Sequence, residues 1–363
     1  MSTQNAIRVG AFDVLHPLSS GGMGGVWRAR HREQGVDAAV KVIREAPSQQ
    51  TRRAFEREVQ AHAGLNHPGV AVLFDYGAIP DEAETLSEGQ LVAGSPFLAM
   101  EFADAGTVRD LMPFSSWRSV RALTSSVLDA LAHAHARDVI HRDLKPENIL
   151  VFEDGDGLRF KLADFGIAHA LESEHDQPLE RLQSMSGTPH YMSPEQARGR
   201  WRTYGPWTDL YALGCLVWEW VCGRPPFVAE SVVELVDLHM SADRPRLEPR
   251  FPIPSGLEAW VLRAMHIEPE ARFRRAADAR AALPFDEDGF ETPPGDVDGH
   301  ETLEVVAPTL ERTTAFAETL AAAPGDEDSD VALAETRRQS RAEESHVGTA
   351  DEESGMGGAK ALV

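Results

Sequence analysis

Over the first hundred residues, apolar and polar positions alternate in short runs; after about residue 104 the apolar spacing turns mainly helical. "AFDVLHPL", "GVWRARH" and "DAAVKVI" read as strands joined by short turns. Next, "SQQTRRAFEREVQAHAGL" spaces its apolar positions for a helix and puts charge on the other faces. Residues 70–76 ("VAVLFDY") and 96–103 ("PFLAMEFA") read as two further strands, with "PDEAETLSEG" as an exposed loop between them. Strands first and helices later imply an α+β fold in two lobes. The lobes would be a small β-rich one over about 8–103 and a larger helical one over about 104–284, with a cleft between them.

The longest apolar run, "LYALGCLVWEWVC" from Leu210 to Cys222, is interrupted by Glu219. It is also shorter than the roughly 20 residues a bilayer span needs, so it reads as a buried core helix. The start "MSTQNAIRVG" lacks a basic stretch followed by an apolar one, so no secretory signal is visible. The expectation is a cytoplasmic protein with no membrane partner. Cys215 and Cys222 would stand about 10.5 Å apart along that helix at ~1.5 Å rise per residue. That exceeds the roughly 7 Å a disulfide tolerates, so both read as buried apolar residues.

Charge is unevenly spread. The chain carries a net −23, of which residues 285–363, with 20 acidic and 5 basic side chains, contribute −15. Neither part has the basic surplus of a nucleic-acid binder. The acidic segment buries too little to offset its ordering entropy and is expected to be disordered. Its Glu-Thr pairs at 291–292, 301–302 and 318–319 read either as low complexity or as phosphoacceptor threonines for a phosphothreonine-binding partner. The basic residues divide oddly too: 31 arginines and only 4 lysines, at 41, 145, 161 and 360. Where arginine is the default cation, a retained lysine marks a place for a compact ammonium, which points at Lys41 and Lys145.

Four separated segments supply what phosphoryl transfer from a nucleotide requires. "LSSGGMGGVWRA" (18–29) is glycine-dense enough for backbone N–H groups to close over phosphates. Lys41 in "AAVKVI" offers a point charge for phosphate oxygens. "VIHRDLKPENIL" (139–150) brings Asp143, Lys145 and Asn148 together, and "KLADFGIA" (161–168) places Asp164 at a strand-to-turn transition. An aspartate and an asparagine near triphosphate oxygens suit Mg²⁺. Taken singly, each is ordinary: a turn, a strand lysine, a surface glutamate. Their joint placement overturns that.

With "SSGGMGGV", "AAVK", a helical glutamate, "HRDLKPEN", "DFG", "GTPHYMSPE", an aspartate in the apolar helix and a late arginine in this order, the chain resembles bacterial eukaryotic-type (Hanks-type) serine/threonine protein kinases over about residues 8–284. The resemblance implies ATP and Mg²⁺ as cofactors and protein Ser/Thr hydroxyls as acceptors. It implies that Leu18, Ser19, Ser20, Gly21, Gly22, Met23, Gly24, Gly25 and Val26 cover the nucleotide, Ser19 standing where the family has its first glycine. Ala39 and Val26 would pack over the adenine with Leu150 beneath. Met100 would stand at the back of the pocket, with Glu101 and Ala103 offering backbone hydrogen bonds. Lys41 would grip the α- and β-phosphates, held by an ion pair with Glu58. Asp143 would orient the acceptor hydroxyl, Lys145 would neutralise the transferred phosphoryl, and Asn148 and Asp164 would hold magnesium. Lys145 together with Thr188 implies Ser/Thr rather than Tyr acceptors. Glu195 and Arg272 would form a buried ion pair, and Asp209 would bond the backbone of the "HRD" turn.

Ser184 and Ser186 are candidate autophosphorylation sites, because Arg142 precedes the catalytic aspartate and would pair with a phosphate on that segment. His133, His135 and His141 lie close together, but 133 and 135 point to different helix faces, so a metal role is not expected. Two readings compete with an active kinase. One is a pseudokinase that binds without catalysis, and the other is a scaffold acting through the acidic tail.

Overall fold

The computed structural model describes residues 6–21, 24–43, 48–155, 157–166, 189–241, 243–285 and 304–305. The front of the chain forms an antiparallel sheet of β1 (Ile7–Val9), β2 (Phe12–Gly21), β3 (Gly24–His31), β4 (Asp37–Ile43), β5 (Leu73–Ala78) and β6 (Pro96–Glu101). The spatial order is β1-β2-β3-β4-β6-β5. Because side chains alternate across a strand, each face collects its own apolar set. Phe97 and Ala99 join Phe12, Trp27, Ala29, Val40 and Val42 on one face. Leu98 and Met100 join Ile43, Phe55, Val59 and Leu73 on the other. Phe55 and Val59 come from helix α1 (Gln49–Ala63), so the second face is the one the helix covers.

One expected loop is a helix. Within "PDEAETLSEG", residues Asp81–Leu86 form α2, with Asp81, Glu82 and Glu84 in its first turn and Ala83 buried. Acidic residues at a helix start favour it electrostatically, and the single buried alanine is enough to dock so short a segment.

The rest of the described chain is mainly helical. Its helices are α3 (Val108–Leu111), α4 (Trp117–His135), α5 (Pro194–Ala197), α6 (Pro206–Cys222), α7 (Val232–Met240), α8 (Leu257–Ala264) and α9 (Ala276–Ala281). In α6 every residue from Thr208 to Cys222 is buried, including Cys215 and Cys222, which are free thiols. It ends where Gly223 takes a left-handed φ of 73°, a conformation glycine adopts without penalty. Among the described residues no helix is long and apolar enough to cross a membrane.

Within this helical part lies a hairpin of β7 (Ile149–Asp154) and β8 (Gly157–Leu162); the strand leading to Asp164 was expected, and its partner β7 was not. Two residues of the segment expected to be disordered, Glu304–Val305, form β9, parallel to Gly157 and Leu158 of β8. Apart from those two residues, the acidic segment beyond Phe285 lies outside the described residues. So do Gly22, Met23, Ser184, Ser186 and Thr188.

Candidate active site

The glycine stretch is a hairpin. Ser19 pairs with Val26, Ser20 with Gly25 and Gly21 with Gly24, so β2 and β3 run antiparallel as far as Gly21 and Gly24. At Gly24 the backbone takes φ +146°, and a Cβ there would lie 1.8 Å from the Val42 carbonyl oxygen. Only glycine fits that position. Below the hairpin, the β3–β4 register sets Val26 opposite Lys41, and the β4–β6 register sets Ala39 opposite Met100. Ala39 and Leu150, from lobes 111 residues apart in sequence, pack on the same apolar cluster as Met100 and Ala163. The four residues expected to frame the adenine thus include three brought together in one cluster, and Val26 lies one strand over from it.

The catalytic turn follows α4. Arg142 has φ +65°, a strained conformation for a residue with a side chain, and a buried carboxylate holds it there. Asp209, near the start of α6, accepts from the His141 N–H through Oδ2 and from the Arg142 N–H through Oδ1, both at 2.8 Å. His135 Nε2 bonds the same Oδ2 at 2.8 Å. Burial opposes ionisation of Asp209, yet its bonds to His135 and His141 hold the carboxyl below its ordinary value. His135 therefore has a structural partner. His133 stacks on His67, with ring centroids 4.8 Å apart.

Asp143 leaves this turn with two donors on one oxygen. Lys145 Nζ reaches Oδ2 at 2.7 Å and Asn148 Nδ2 reaches it at 3.0 Å, while the same amide also donates to the Asp143 carbonyl at 2.7 Å. Among the described residues, nothing bonds the other carboxylate oxygen, Oδ1. Burial works against the Lys145 ammonium, but the adjoining Asp143 carboxylate raises its pKa above the ordinary value, so it is charged.

Asp164 sits at φ +63° immediately after the Leu162–Ala163 end of the hairpin. Its Oδ2 accepts from Lys41 Nζ at 2.5 Å, and its Oδ1 is buried without a hydrogen-bond partner among the described residues. Burial would raise this carboxyl, but the Lys41 ammonium pulls it below its ordinary value. Phe165, fully buried, lies between the rings of His62 and His141 at 5.3 and 4.6 Å.

Here the expected pairing is corrected. Glu58 does not hold Lys41; its Oε1 accepts from Arg142 Nη1 at 2.8 Å. The Asp164 side chain is 12% exposed and that of Glu58 24%. A more deeply buried carboxylate loses more hydration and demands a cation more strongly, so the single ammonium of Lys41 goes to Asp164. Arg142, thrown towards α1 by its left-handed backbone, satisfies Glu58 instead. Space is tight: a Cβ on Gly166 would stand 2.3 Å from Glu58 Oε2.

The buried ion pair lies where the sequence placed it. Arg272 grips Glu195 with both arms at 2.9 Å, and its other N–H groups bond the carbonyls of His266, Ile267 and Trp207. Thr208 Oγ1 donates to Glu195 at 2.9 Å.

Three supporting contacts escaped the sequence. Gln196 Nε2 donates to the Arg142 carbonyl at 2.7 Å, tying α5 to the catalytic turn. The Ser-x-x-Gln spacing of Ser193 and Gln196, which caps α5, was the available signal. Arg109 donates to Glu147, Glu219 and the Tyr191 hydroxyl at 2.9, 3.1 and 3.0 Å, and Tyr191 in turn donates to Glu219. Lys161 donates to both oxygens of Glu101, at 2.7 and 2.6 Å. The scarcity of lysine flagged position 161, but no motif claimed it.

The family model described as "Protein kinase domain" matches residues 12–271. The chain belongs to the protein kinase family. Curated relatives that it matches include bacterial serine/threonine-protein kinases. PknB of Mycolicibacterium smegmatis is 34% identical over 315 residues, covering 84% of this chain and 48% of PknB. PrkC of Bacillus subtilis is 29% identical over 337 residues, covering 91% of this chain and 48% of PrkC. The chain thus spans about half the length of these kinases. The kinase fold is shared with the crystal structure of the Mycobacterium tuberculosis PknI kinase domain. That likeness has a TM-score of 0.56 at 24% identity, over 75% of this chain and 94% of that one.

Proposed function

We propose that the protein transfers the γ-phosphoryl of Mg-ATP to serine and threonine hydroxyls of protein substrates, and to itself, as a kinase in bacterial signalling. The observation that carries this reading is the joining of residues up to 123 positions apart into one charged site. Lys41 meets Asp164, and Lys145 and Asn148 converge on Asp143. Every charged group a pseudokinase would be expected to lack is in place.

The residues fit a magnesium ion. Asp164 Oδ1 is a buried carboxylate oxygen without a protein partner, and Asn148 supplies a second hard oxygen once its amide nitrogen is committed to Asp143. Among the described residues no cluster of three His, Cys, Asp or Glu side chains forms a metal site. Two protein oxygens completed by phosphate and water suit Mg²⁺ better than a protein cage would. When bound, magnesium neutralises charge on the phosphates.

Around it the side chains divide the work. Asp143 Oδ1, unbonded among the described residues, accepts the hydrogen bond of the acceptor hydroxyl and orients it for in-line attack. Lys145, kept cationic by Asp143, faces the charge on the transferred phosphoryl. The Glu101 N–H is already spent on the Val72 carbonyl at 3.0 Å, so the base takes the Glu101 carbonyl and the Ala103 N–H. Lys41 exchanges Asp164 for the α- and β-phosphates. Lys145 and Thr188 favour Ser/Thr acceptors.

The Glu58–Arg142 pair supports regulation through the activation segment. Among the described residues Arg142 Nε is buried without a partner, which supports a capacity of the guanidinium for a second anion. A phosphate on Ser184 or Ser186 competes for Arg142 and frees Glu58 for Lys41. The kinase domain extends over about 8–284 and works in the cytoplasm. Its acidic tail over 285–363 recruits a phosphothreonine-binding partner once its threonines are modified.

The test is incubation with labelled ATP and Mg²⁺, with Lys41→Met as control. Transfer to the protein itself and to generic Ser/Thr acceptors, lost in the control, is the expected result. No transfer to either overturns the reading. Phosphopeptide mapping against Asp143→Asn decides the serines, and an unmodified segment in the active enzyme removes the regulatory part.

A further inference from the structure

Glu101 was expected to act through its backbone alone, yet its side chain is the centre of a buried junction. Its Oε1 accepts from the Val72 N–H at 2.7 Å and from Lys161 Nζ at 2.7 Å, and Oε2 accepts from the same ammonium at 2.6 Å. Both side chains are shielded, 17% and 11% exposed, and Lys161 Nζ stands 4.8 Å from the Phe152 ring centroid. The backbone reinforces the junction. Glu101 N–H bonds the Val72 carbonyl, Ala71 N–H bonds the Leu162 carbonyl, and Leu162 N–H bonds the Gly69 carbonyl.

Three pieces of chain therefore meet at one carboxylate: the end of β6, the segment 69–72, and β8. The first carries the backbone proposed to hold the adenine. The last carries Asp164, three residues after Lys161, and pairs Lys161 with Leu150, proposed to lie beneath the adenine. A nucleotide bound between them is one rigid-ended ligand spanning both pieces, so the distance between them decides whether its two ends can be held at once.

We propose that Glu101 and Lys161 are positioning residues: their ion pair sets the span between the base-binding end of the nucleotide site and Asp164 at its phosphate end. This rests on the nucleotide reading above. Of the four lysines, 161 is placed where an ammonium fits under a carboxylate and against an aromatic face. The Val72 N–H adds direction to the pair. Exchanging the two charges would turn an ammonium towards that N–H, so the swapped pair does not restore the wild-type junction.

The span argument distinguishes ligands. Adenosine uses only the base end, whereas Mg-ATP uses both. The experiment measures affinity of the full chain for adenosine and for Mg-ATP by calorimetry, in the parent and in Lys161→Met. A second variant, Glu101→Gln with Lys161→Met, leaves no unpaired buried charge and keeps an oxygen for the Val72 N–H, so it folds if the single change does not. The expected result is about a tenfold weakening of Mg-ATP with adenosine affinity changed less than about twofold. Equal weakening of both ligands means a merely structural role and overturns the proposal, as does no change in either. A parent that binds neither ligand overturns the nucleotide reading itself, and the positioning role with it.

Discussion

Two charge networks meet at the catalytic turn, and they are built in opposite ways. Below it, Arg272 and Glu195 are 0% and 4% exposed, joined through both arms of the guanidinium, with the remaining N–H groups on carbonyls. Asp209 is likewise buried and bonded to two backbone N–H groups and His135. Above the turn, Lys41 with Asp164 and Arg142 with Glu58 are single contacts; Asp164 is buried but its three companions are 23–33% exposed, and among the described residues Asp164 Oδ1 and Arg142 Nε are left over. A saturated buried network has one low-energy arrangement, because any exchange strands a charge. A network of single contacts with spare atoms can change partners at less cost. The lower network holds geometry, and the upper one can accept a ligand.

The sharpest way to break this contrast is to separate activity from stability. Asp143→Asn is expected to cost about 10²–10⁴-fold in phosphoryl transfer, by analogy with loss of a general base, while leaving the unfolding midpoint close to the parent's. A kinase assay beside a denaturant titration reads both. The converse change, Arg272→Ala, is expected to cost about 3–5 kcal/mol of unfolding free energy by stranding Glu195. Glu58→Gln, in the upper network, should cost no more than about 1 kcal/mol in the same titration. If the two variants unfold alike, the two networks do not differ as described.

Acid sharpens the comparison further. His62 is fully buried beside Phe165, and burial lowers its pKa to about 4; burial likewise lowers that of His239 to about 3. Both are neutral in the folded chain but gain a proton in the unfolded chain below about pH 6.5. Unfolded protein thus binds more protons than folded protein between roughly pH 6.5 and 4, and stability falls as pH falls, by about 1.4 kcal/mol per unit for each histidine. His62→Leu should remove one of these contributions, making the slope shallower by about 1.4 kcal/mol per pH unit in denaturant titrations across that window. An unchanged slope would mean that His62 does not stay neutral.

The smallest effect is expected in the glycine hairpin. Ser19→Gly should change ATP affinity by less than about twofold, since Ser19 already sits in regular β pairing with Val26. Gly24→Ala should weaken it strongly, because its Cβ meets the Val42 carbonyl. Calorimetric titration of both variants decides whether the first glycine slot matters.

Much of this was legible beforehand. Strand alternation gave the sheet, and the long apolar run interrupted only by Glu219 became the buried α6. The pairing of Glu195 with Arg272 and the docking of Asp209 under the "HRD" turn were readable because the motifs carrying them follow a known order. The loop that turned out to be α2 was missed because six residues with one buried alanine leave almost no periodic signal. Of the β7–β8 hairpin only the strand running into Asp164 was read, because the alternation of β7 falls inside a mainly helical stretch. Lys161 and Gln196 were missed because a side chain that serves a distant backbone or carboxylate leaves little trace in its own neighbourhood.

By itself the sequence determined which charged residues exist, their order, and which would be buried: local composition and periodicity carry that information. Only the tertiary structure decided which cation serves Glu58 and which serves Asp164. Lys41 and Arg142 are both able to neutralise Glu58, and no pattern of spacing ranks them. The choice follows from depth and direction: Asp164 lies deeper and takes the ammonium, and the left-handed turn at Arg142 delivers the guanidinium to what remains.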